Sequence, residues 1–575
     1  MRPRNRRIML ALVLLTGLLG AGWLLSQNRV QAVGEQQYDL KLLQQVVERI
    51  RARYVDDMNE GEAIAAAIRG MLATLDPYTE FLEKKQNDEM KMMQIQGKYG
   101  GLGIKIQKQE DALVVVALFD DTPAYDVGLQ TGDRIVGIEG RSTADIDVSQ
   151  AADLLRGSPG TSVTISVSRE GEAAAIDYTL TRAIITIPVV PYAGMLEGSV
   201  GYIKLNQFTE EASREVERAL KHLGEQGARG YMLDLRGNPG GLLEQAVGVA
   251  GKFLEEGSLV VYTMGRPGTD QRSYHATDPF TLRDTPVVVL VDRYSASASE
   301  IVAGAIQDWD RGVVAGQPTF GKASVQQIFP MNEETALKIT TARYYTPSGR
   351  LIQKTRASLK GPDPSNAARG DTDQAEQADE AERDTYETNT GRTVYGGGGI
   401  TPDVEIAVPE YPHLIQALNN QSLFIQFASH YVSRNPDADL AAFDVTDEMI
   451  DAFRGFVEAR SFEYTSTAEQ TLNELEEIVR DRLDRPDRPD RPASTDVLAS
   501  LADLRTKLNR QHELEYRRHR ELLVARIGTE ISAKLWGTAG RYAFATKHDP
   551  QIRASLEILE DEDRYRKLLG NGPEE

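Results

Sequence analysis

The apolar residues of this chain change their spacing several times, and each change marks a boundary. Ile8 to Leu25 is an uncharged apolar run. As a helix it would be about 27 Å long at 1.5 Å per residue, close to the ~30 Å hydrocarbon core of a bilayer. Leu40, Leu43, Val46, Val47 and Ile50 then recur at helical spacing, as do Ile64, Ile68 and Met71 after a break near Asp56–Asn59. Asp76-Pro77 closes this pair of predicted helices. Gly97 to about Arg182 is β-rich. Leu113–Ala117 and Val163–Val167 read as strands, Ser149–Leu155 as a helix, and Gly128, Gly132-Asp133, Gly140 and Gly157 as turns. From Val200 strands and helices alternate. Val200–Leu205, Tyr231–Leu235, Val287–Val291 and Val313–Ala315 are strand-like; Glu211–Leu223, Leu243–Phe253 and Ser299–Asp308 are helix-like. Such alternation implies a largely parallel sheet covered by helices. Strand character returns near Thr393 and at Thr401–Ile406, and the chain beyond Pro409 reads as helical and highly charged.

Two stretches lack periodicity. Lys354 to Arg392 includes Asp371 to Glu387, where eight acidic residues accompany one arginine, the composition of a disordered surface insertion. Asp484 to Pro492 repeats Asp-Arg-Pro and reads as a stiff, solvated linker. The expected segments are therefore 1–33 for an anchor or signal, 34–96 for helices, 97–182 for the β-rich domain, 183–408 for the α/β core with its insertion at 354–392, and 409–575 for a helical region. At 575 residues the chain has room for that many domains.

Charge removes one class of function. The net charge of −21 disfavours nucleic-acid binding, which needs a basic surface. With no cysteine, disulfides, thiolate metal sites and a thiol nucleophile are excluded. Of the seven histidines only His512 and His519 approach metal-ligand spacing, and they lie in a charged helix. No metal or cofactor is expected. Arg2, Arg4, Arg6 and Arg7 precede the apolar run, so the N-terminus is expected to stay in the cytoplasm while the rest is exported. Val30-Gln31-Ala32 is a candidate signal-peptidase site, so a retained anchor competes with a cleaved signal.

Three segments carry candidate chemistry. Asp234-Leu235-Arg236-Gly237-Asn238-Pro239-Gly240-Gly241 follows a strand and precedes a helix. Its glycines permit close backbone approach, and exposed N–H groups in such a turn can hold an oxyanion; a plain tight turn is the competing reading. Tyr294-Ser295-Ala296-Ser297-Ala298-Ser299-Glu300 opens a helix, where free N–H groups and the helix dipole favour a nucleophile. Ser297 and Glu300 also fit capping-box spacing, so Ser297 as a helix cap competes. Phe320-Gly321-Lys322-Ala323-Ser324-Val325-Gln326 offers a lysine that an apolar setting would make easier to neutralise, and hence a general base. Gln326 could hold that amine; an ordinary exposed lysine is the alternative.

In this order the three segments closely resemble the carboxyl-terminal processing (tail-specific) proteases. Further matching stretches are Gly201-Tyr202-Ile203, Thr341 to Arg350 and Gly399-Ile400-Thr401-Pro402-Asp403, so the likeness runs from about Tyr38 to Val404 outside the insertion. The resemblance implies a multidomain α+β fold: N-terminal helices, a β-rich PDZ domain, an α/β crotonase-like protease core and a helical C-terminal extension. It makes Ser297 the nucleophile, Lys322 the base twenty-five residues on, and Gln326 the group orienting that lysine. Backbone N–H groups of Ala298 and of Gly240 or Gly241 would form the oxyanion hole. It makes 97–182 the PDZ domain, with Gly100, Gly101, Leu102, Gly103 and Ile104 in the loop and strand that take a peptide C-terminus. Val127 stands where alanine is commoner in that family. Asp308 falls where some members have a sensitive aspartate, but eleven residues of helix carry it about 16 Å from Ser297, so a structural role is expected. The implied activity is serine endopeptidase cleavage of exported proteins with unstructured C-termini. The chain would be anchored in the bacterial inner membrane by its N-terminal helix with the catalytic part periplasmic, or periplasmic after signal cleavage. The helices beyond Pro409 carry no readable motif; self-association, adaptor binding, substrate access and plain packing all remain open. A catalytically silent PDZ adaptor is the chief rival, and a hydratase or isomerase on a crotonase-like fold the second.

Overall fold

A computed structural model describes residues 40–570 apart from short stretches, the longest of them 355–382 and 484–492. The expected Asp-Arg-Pro linker lies outside the described residues, as does most of the acidic insertion. The expected single membrane anchor needs correction. No helix among the described residues is long and apolar enough to cross a membrane, and the run Ile8–Leu25 lies outside them.

The first compact unit holds two helices, Leu40–Arg53 and Glu60–Leu72. Asn59 caps the second by accepting from the Glu62 N–H at 3.3 Å, which explains the break in periodicity just before it. Asp76 shapes the turn after the second helix, taking the N–H groups of Tyr78 (2.8 Å) and Thr79 (3.0 Å).

The second unit begins with the β-rich domain. Strands Ile104–Gln109, Ala112–Leu118, Arg134–Ile138, Ser162–Ser168 and Ile176–Thr181 form one sheet in that order, all antiparallel. Alternating residues Val163, Ile165 and Val167 face a core shared with Leu113, Val115, Ile135 and Leu155. The helix Val148–Leu155 starts in a capping box between Asp147 and Gln150 and packs on the edge strand Ile104–Gln109. Lys98–Gly101 pairs separately with Ala183–Thr186.

The α/β core is a six-stranded sheet ordered Tyr192–Leu196, Val200–Lys204, Gly230–Asp234, Val287–Val291, Val313–Gly316 and Val404–Glu405. Only the first pairing is antiparallel. The central strands are buried on both faces, as their continuous apolar runs require. Helices Ala212–Glu225, Leu243–Ala250 and Ala298–Asp308 contribute to the core on one face. The other face is closed by the end of the chain: Ile552, Ile558, Tyr565 and Leu569 pack on Val200, Met232, Val288 and Leu290. The Tyr565 hydroxyl bonds both the N–H (2.9 Å) and the carbonyl (3.1 Å) of Val287. A second sheet joins Leu259–Met264, Arg272–His275, Thr335–Tyr345 and Ser324–Pro330.

Between Val404 and that closing segment lies a helical region. His413–Asn420, Leu423–Val432, Asp447–Glu458 and Arg520–His548 share a core built on Leu414, Phe424, Phe453, Ile527 and Phe544. Phe424 and Phe453 stack at 5.0 Å. Thr467–Leu483 and Ala493–Arg518 pack against each other beside it.

The last residues of the expected disordered insertion are ordered. Thr385–Glu387 pairs with Thr393–Tyr395. The connecting turn is tied down because the Arg392 guanidinium reaches Asp310 (2.6 Å), 82 residues earlier, and Asp403 (2.7 Å), 11 residues later.

Asp308 pairs with Arg350, and the side chains are 1 % and 0 % exposed. Its other oxygen accepts the Ser348 N–H at 2.9 Å. Removing one member of a buried ion pair strands the other charge, so Arg350→Met is expected to lower stability by about 3–5 kcal/mol in urea denaturation. A loss under 1 kcal/mol would show that the pair contributes nothing net.

Candidate active site

Three loops at the C-terminal ends of the parallel strands meet around Ser297. The first follows Val287–Val291. Asp292 Oδ1 accepts from the N–H groups of Tyr294 (3.0 Å) and Ser295 (3.0 Å), and also from Gly237 in the glycine turn (2.9 Å). Ser295 Oγ donates to the Leu235 carbonyl at 2.8 Å, a second tie between the two loops. Ser297 itself has φ 55 and ψ −111. For a residue with a Cβ such a conformation costs on the order of 1–3 kcal/mol and persists only where its surroundings impose it. Ala298 begins the helix, so its N–H has no carbonyl behind it to bond.

The glycine turn lies directly against this strained residue. A Cβ on Gly240 would fall 2.7 Å from the Ala296 carbonyl oxygen, 2.8 Å from Ser297 Cβ and 2.9 Å from the Ala298 nitrogen. A Cβ on Gly241 would fall 2.2 Å from the Phe208 carbonyl oxygen. With φ of 99 and 148, both positions also need the freedom that only glycine has. Asn238 shapes the turn from inside. Its Nδ2 donates to the Leu205 carbonyl (3.0 Å) and its Oδ1 accepts the Gly240 N–H (2.9 Å). The Gly240 donor is thus already engaged, while Gly241 is exposed.

The lysine loop is joined to the nucleophile turn by one buried side chain. Glu300 Oε2 accepts the N–H of Ser297 (2.7 Å) and of Lys322 (2.9 Å). Its Oε1 accepts the N–H of Gly321 (2.7 Å) and the Thr319 hydroxyl. Full burial pushes the Glu300 carboxyl up to about 7, against the four donors, which favour the anion. The Tyr344 hydroxyl adds a second bridge, lying against the carbonyl oxygens of Ser297 (3.0 Å) and Lys322. Ser297 and Lys322 are both half-buried.

Ser297, Ala298, Gly240 and Gly241 therefore meet in one place, and Lys322 shares Glu300 with Ser297. Gln326 lies on the strand leaving the lysine loop, and its Nε2 donates to Ser324 Oγ (2.9 Å) and Thr340 Oγ1 (3.3 Å). His275 lies exposed on its own strand. Sequence reasoning noticed Glu300 only as half of a capping box; its reach to Gly321 and Lys322 depends on a contact 21 and 22 residues away. Asn238, Asp292 and Tyr344 carried no signal beyond lying in or near the motifs. In the β-rich domain Gly100 and Gly101 are paired with Ile184 and Ala183, while Leu102, Gly103 and Ile104 lead into the edge strand Ile104–Gln109.

Comparison with known proteins agrees with this architecture. Residues 199–360 match Peptidase family S41, 114–169 a PDZ domain, 414–559 the C-terminal helical domain of a probable PDZ-protease, and 24–86 the N-terminal domain of the activating protease CtpB. The chain is 40% identical over 312 residues to a carboxy-terminal-processing protease of Bartonella bacilliformis, covering 54% of this chain and 71% of that one. It is 39% identical over 314 residues to a carboxyl-terminal-processing protease of Synechocystis, covering 53% and 72%. Among solved structures, a photosystem II D1 C-terminal processing protease aligns at 26% identity over 64% of this chain and 92% of that one, with a TM-score of 0.36. The chain belongs to the carboxyl-terminal processing proteases, serine-type peptidases that carry a PDZ domain.

Proposed function

We propose that the protein cleaves exported proteins with unstructured C-termini through a Ser297–Lys322 dyad. The observation that carries this reading is the Glu300 carboxylate, which takes the backbone N–H of both residues and so ties the two loops together. Neutral Lys322 takes the Ser297 proton as Oγ attacks the scissile carbonyl carbon. The developing oxyanion is received by the N–H groups of Ala298 and Gly241, since Gly240 spends its own on Asn238. Lys322 then protonates the departing amine, and a water molecule deprotonated by Lys322 hydrolyses the acyl-enzyme. Gln326 commits its NH2 to Ser324 and Thr340, so its Oε1 is the atom that would accept from the Lys322 amine.

Substrate capture is assigned to the PDZ domain. Ile104–Gln109 has a partner on one side only among the described residues, so a peptide can add along its other edge. The N–H groups of Leu102, Gly103 and Ile104 are the proposed carboxylate site. The basic N-terminus ahead of the apolar run supports export to the cell envelope, with removal at Val30-Gln31-Ala32.

The test is cleavage of an unstructured protein with an apolar C-terminus, followed by mass spectrometry. Amidating that C-terminus removes the charge the loop would bind, and kcat/KM is expected to fall about tenfold. Equal cleavage of both forms would remove the carboxylate site from the reading. Peptide binding with no cleavage would favour an adaptor.

A further inference from the structure

The glycine turn is held from a direction that the catalytic motifs do not explain. Arg236 lies within it, two residues after the strand. Its Nε and Nη2 grip Asp234 at 2.6–3.1 Å, and its own N–H donates to Asp234 Oδ1 at 2.9 Å. The remaining nitrogen, Nη1, leaves the core altogether. It donates to Asp549 Oδ2 and Gln551 Oε1, both at 2.8 Å, across 313 and 315 residues of chain.

Those two acceptors are themselves fixed. Asp549 Oδ1 caps the helix Pro550–Glu560 by accepting from the N–H groups of Gln551 (2.8 Å) and Ile552 (3.1 Å). Gln551 Nε2 donates to the Ile406 carbonyl at 2.8 Å. The helix they start closes the second face of the core sheet. Its predecessor, Arg520–His548, belongs to the helical region and also touches the core, where Tyr542 stacks on Tyr192 at 5.6 Å. The Arg236 and Asp549 side chains are only 17 % and 26 % exposed, so water replaces their contact poorly.

We infer that Asp549 and Gln551 are positioning residues for the peptidase reaction: they fix Arg236, and through it the turn that sets Gly240 and Gly241 against Ser297. This rests on the proposed role of that turn as an oxyanion site. The C-terminal helical region is then mechanically continuous with the catalytic loop, and a change at one end of it is felt at the other.

The test compares two substitutions in the same closing segment of the full-length protein. Asp549→Asn keeps a helix cap but removes the carboxylate charge that faces Arg236. Tyr565→Phe removes a buried bond between tail and sheet, far from the turn. Cleavage of an unstructured protein is followed with thermal unfolding as a companion. Asp549→Asn is expected to lower kcat about tenfold with KM within twofold, as a slightly misplaced turn would. Asp549→Glu should recover part of it, and Asp549→Asn should add little on top of Arg236→Lys. Tyr565→Phe should lower the melting temperature and leave kcat unchanged. An unchanged kcat in Asp549→Asn, or a kcat loss that simply follows melting temperature in both variants, overturns the inference. Ser297→Ala run alongside separates the two questions: if it stays active, the dyad reading fails, whatever Asp549 does.

Discussion

Replacing Ser297 by alanine is expected to lower cleavage by a factor on the order of 10⁴ or more, because the neighbouring hydroxyls of Ser295 and Ser299 are buried and donate to the carbonyls of Leu235 and Asn238. Lys322→Ala should be as damaging, and the double variant no worse than either, as the proposed dyad has the two side chains acting in one step. Lys322→Arg sharpens the point. Arginine preserves the positive charge but cannot give up its proton near neutral pH, so it cannot serve as the base. A lysine needed only for charge would tolerate the change; a general base would not. The fold should survive all of these. Ser297 and Lys322 are half-buried, and Glu300, Asp292 and Asn238 tie the loops together through backbone N–H groups that these substitutions leave in place. Single-turnover cleavage read by mass spectrometry decides the matter. More than about a hundredth of the parental rate left in Ser297→Ala would exclude it as the nucleophile.

Glu300→Gln should be costly in a different way. Each carboxylate oxygen receives two donors, and every one of them except the Thr319 hydroxyl is a backbone N–H that cannot turn round to accept. An amide must point its NH2 at one of those pairs. At the Oε2 end it would face the N–H groups of Ser297 and Lys322, forcing the two loops apart. A stability loss of about 2–4 kcal/mol and a fall in kcat of about a hundredfold are expected. The pH dependence supplies an independent check. Burial raises this carboxyl from 4.5 to about 7. Between those two values the folded protein therefore keeps a proton that the unfolded chain has already released. Its contribution to stability is fully present below about pH 4.5 and is lost as pH rises through 7, a change of about 3 kcal/mol. Glutamine does not titrate, so that slope should disappear from the variant. Urea denaturation at pH 5 and pH 8 measures both. Parallel slopes for parent and variant would mean that Glu300 keeps an ordinary carboxylate pKa.

Asp234 shows the opposite balance a few residues away. Its burial alone would raise it, but Arg236 and Lys204 outweigh that and hold its carboxyl well below the usual range. Two buried acids in one active-site region are thus shifted in opposite directions. One is paired with cations; the other is surrounded by neutral N–H donors.

Much of this protein is visible in the residue pattern alone. The apolar run Val287–Val291 reads as a strand, and the structure buries it on both faces; the glycine turn and Ser-Ala-Ser-Ala-Ser-Glu follow strands at the spacing of βα loops. The strand-like run Val163–Val167 and the helix-like run Ser149–Leu155 made the β-rich domain equally readable. Local periodicity and local capping are properties of neighbouring residues, so they survive in one dimension. What the tertiary structure decided all depends on long-range contact. The helices after Pro409 carried no motif, yet Tyr565 bonds a strand 278 residues earlier and the chain's end completes the core. A helix with polar charges says nothing of what its apolar side covers. The last part of the acidic insertion is ordered because Arg392 finds Asp310 and Asp403, a pairing that composition cannot express. Glu300 forms the cap its spacing suggested and also joins two loops, because the second loop is folded onto it by the parallel sheet. The Gly240 N–H turns inward to Asn238 for the same reason: hydrogen-bond direction is fixed by packing, and residue order does not contain it.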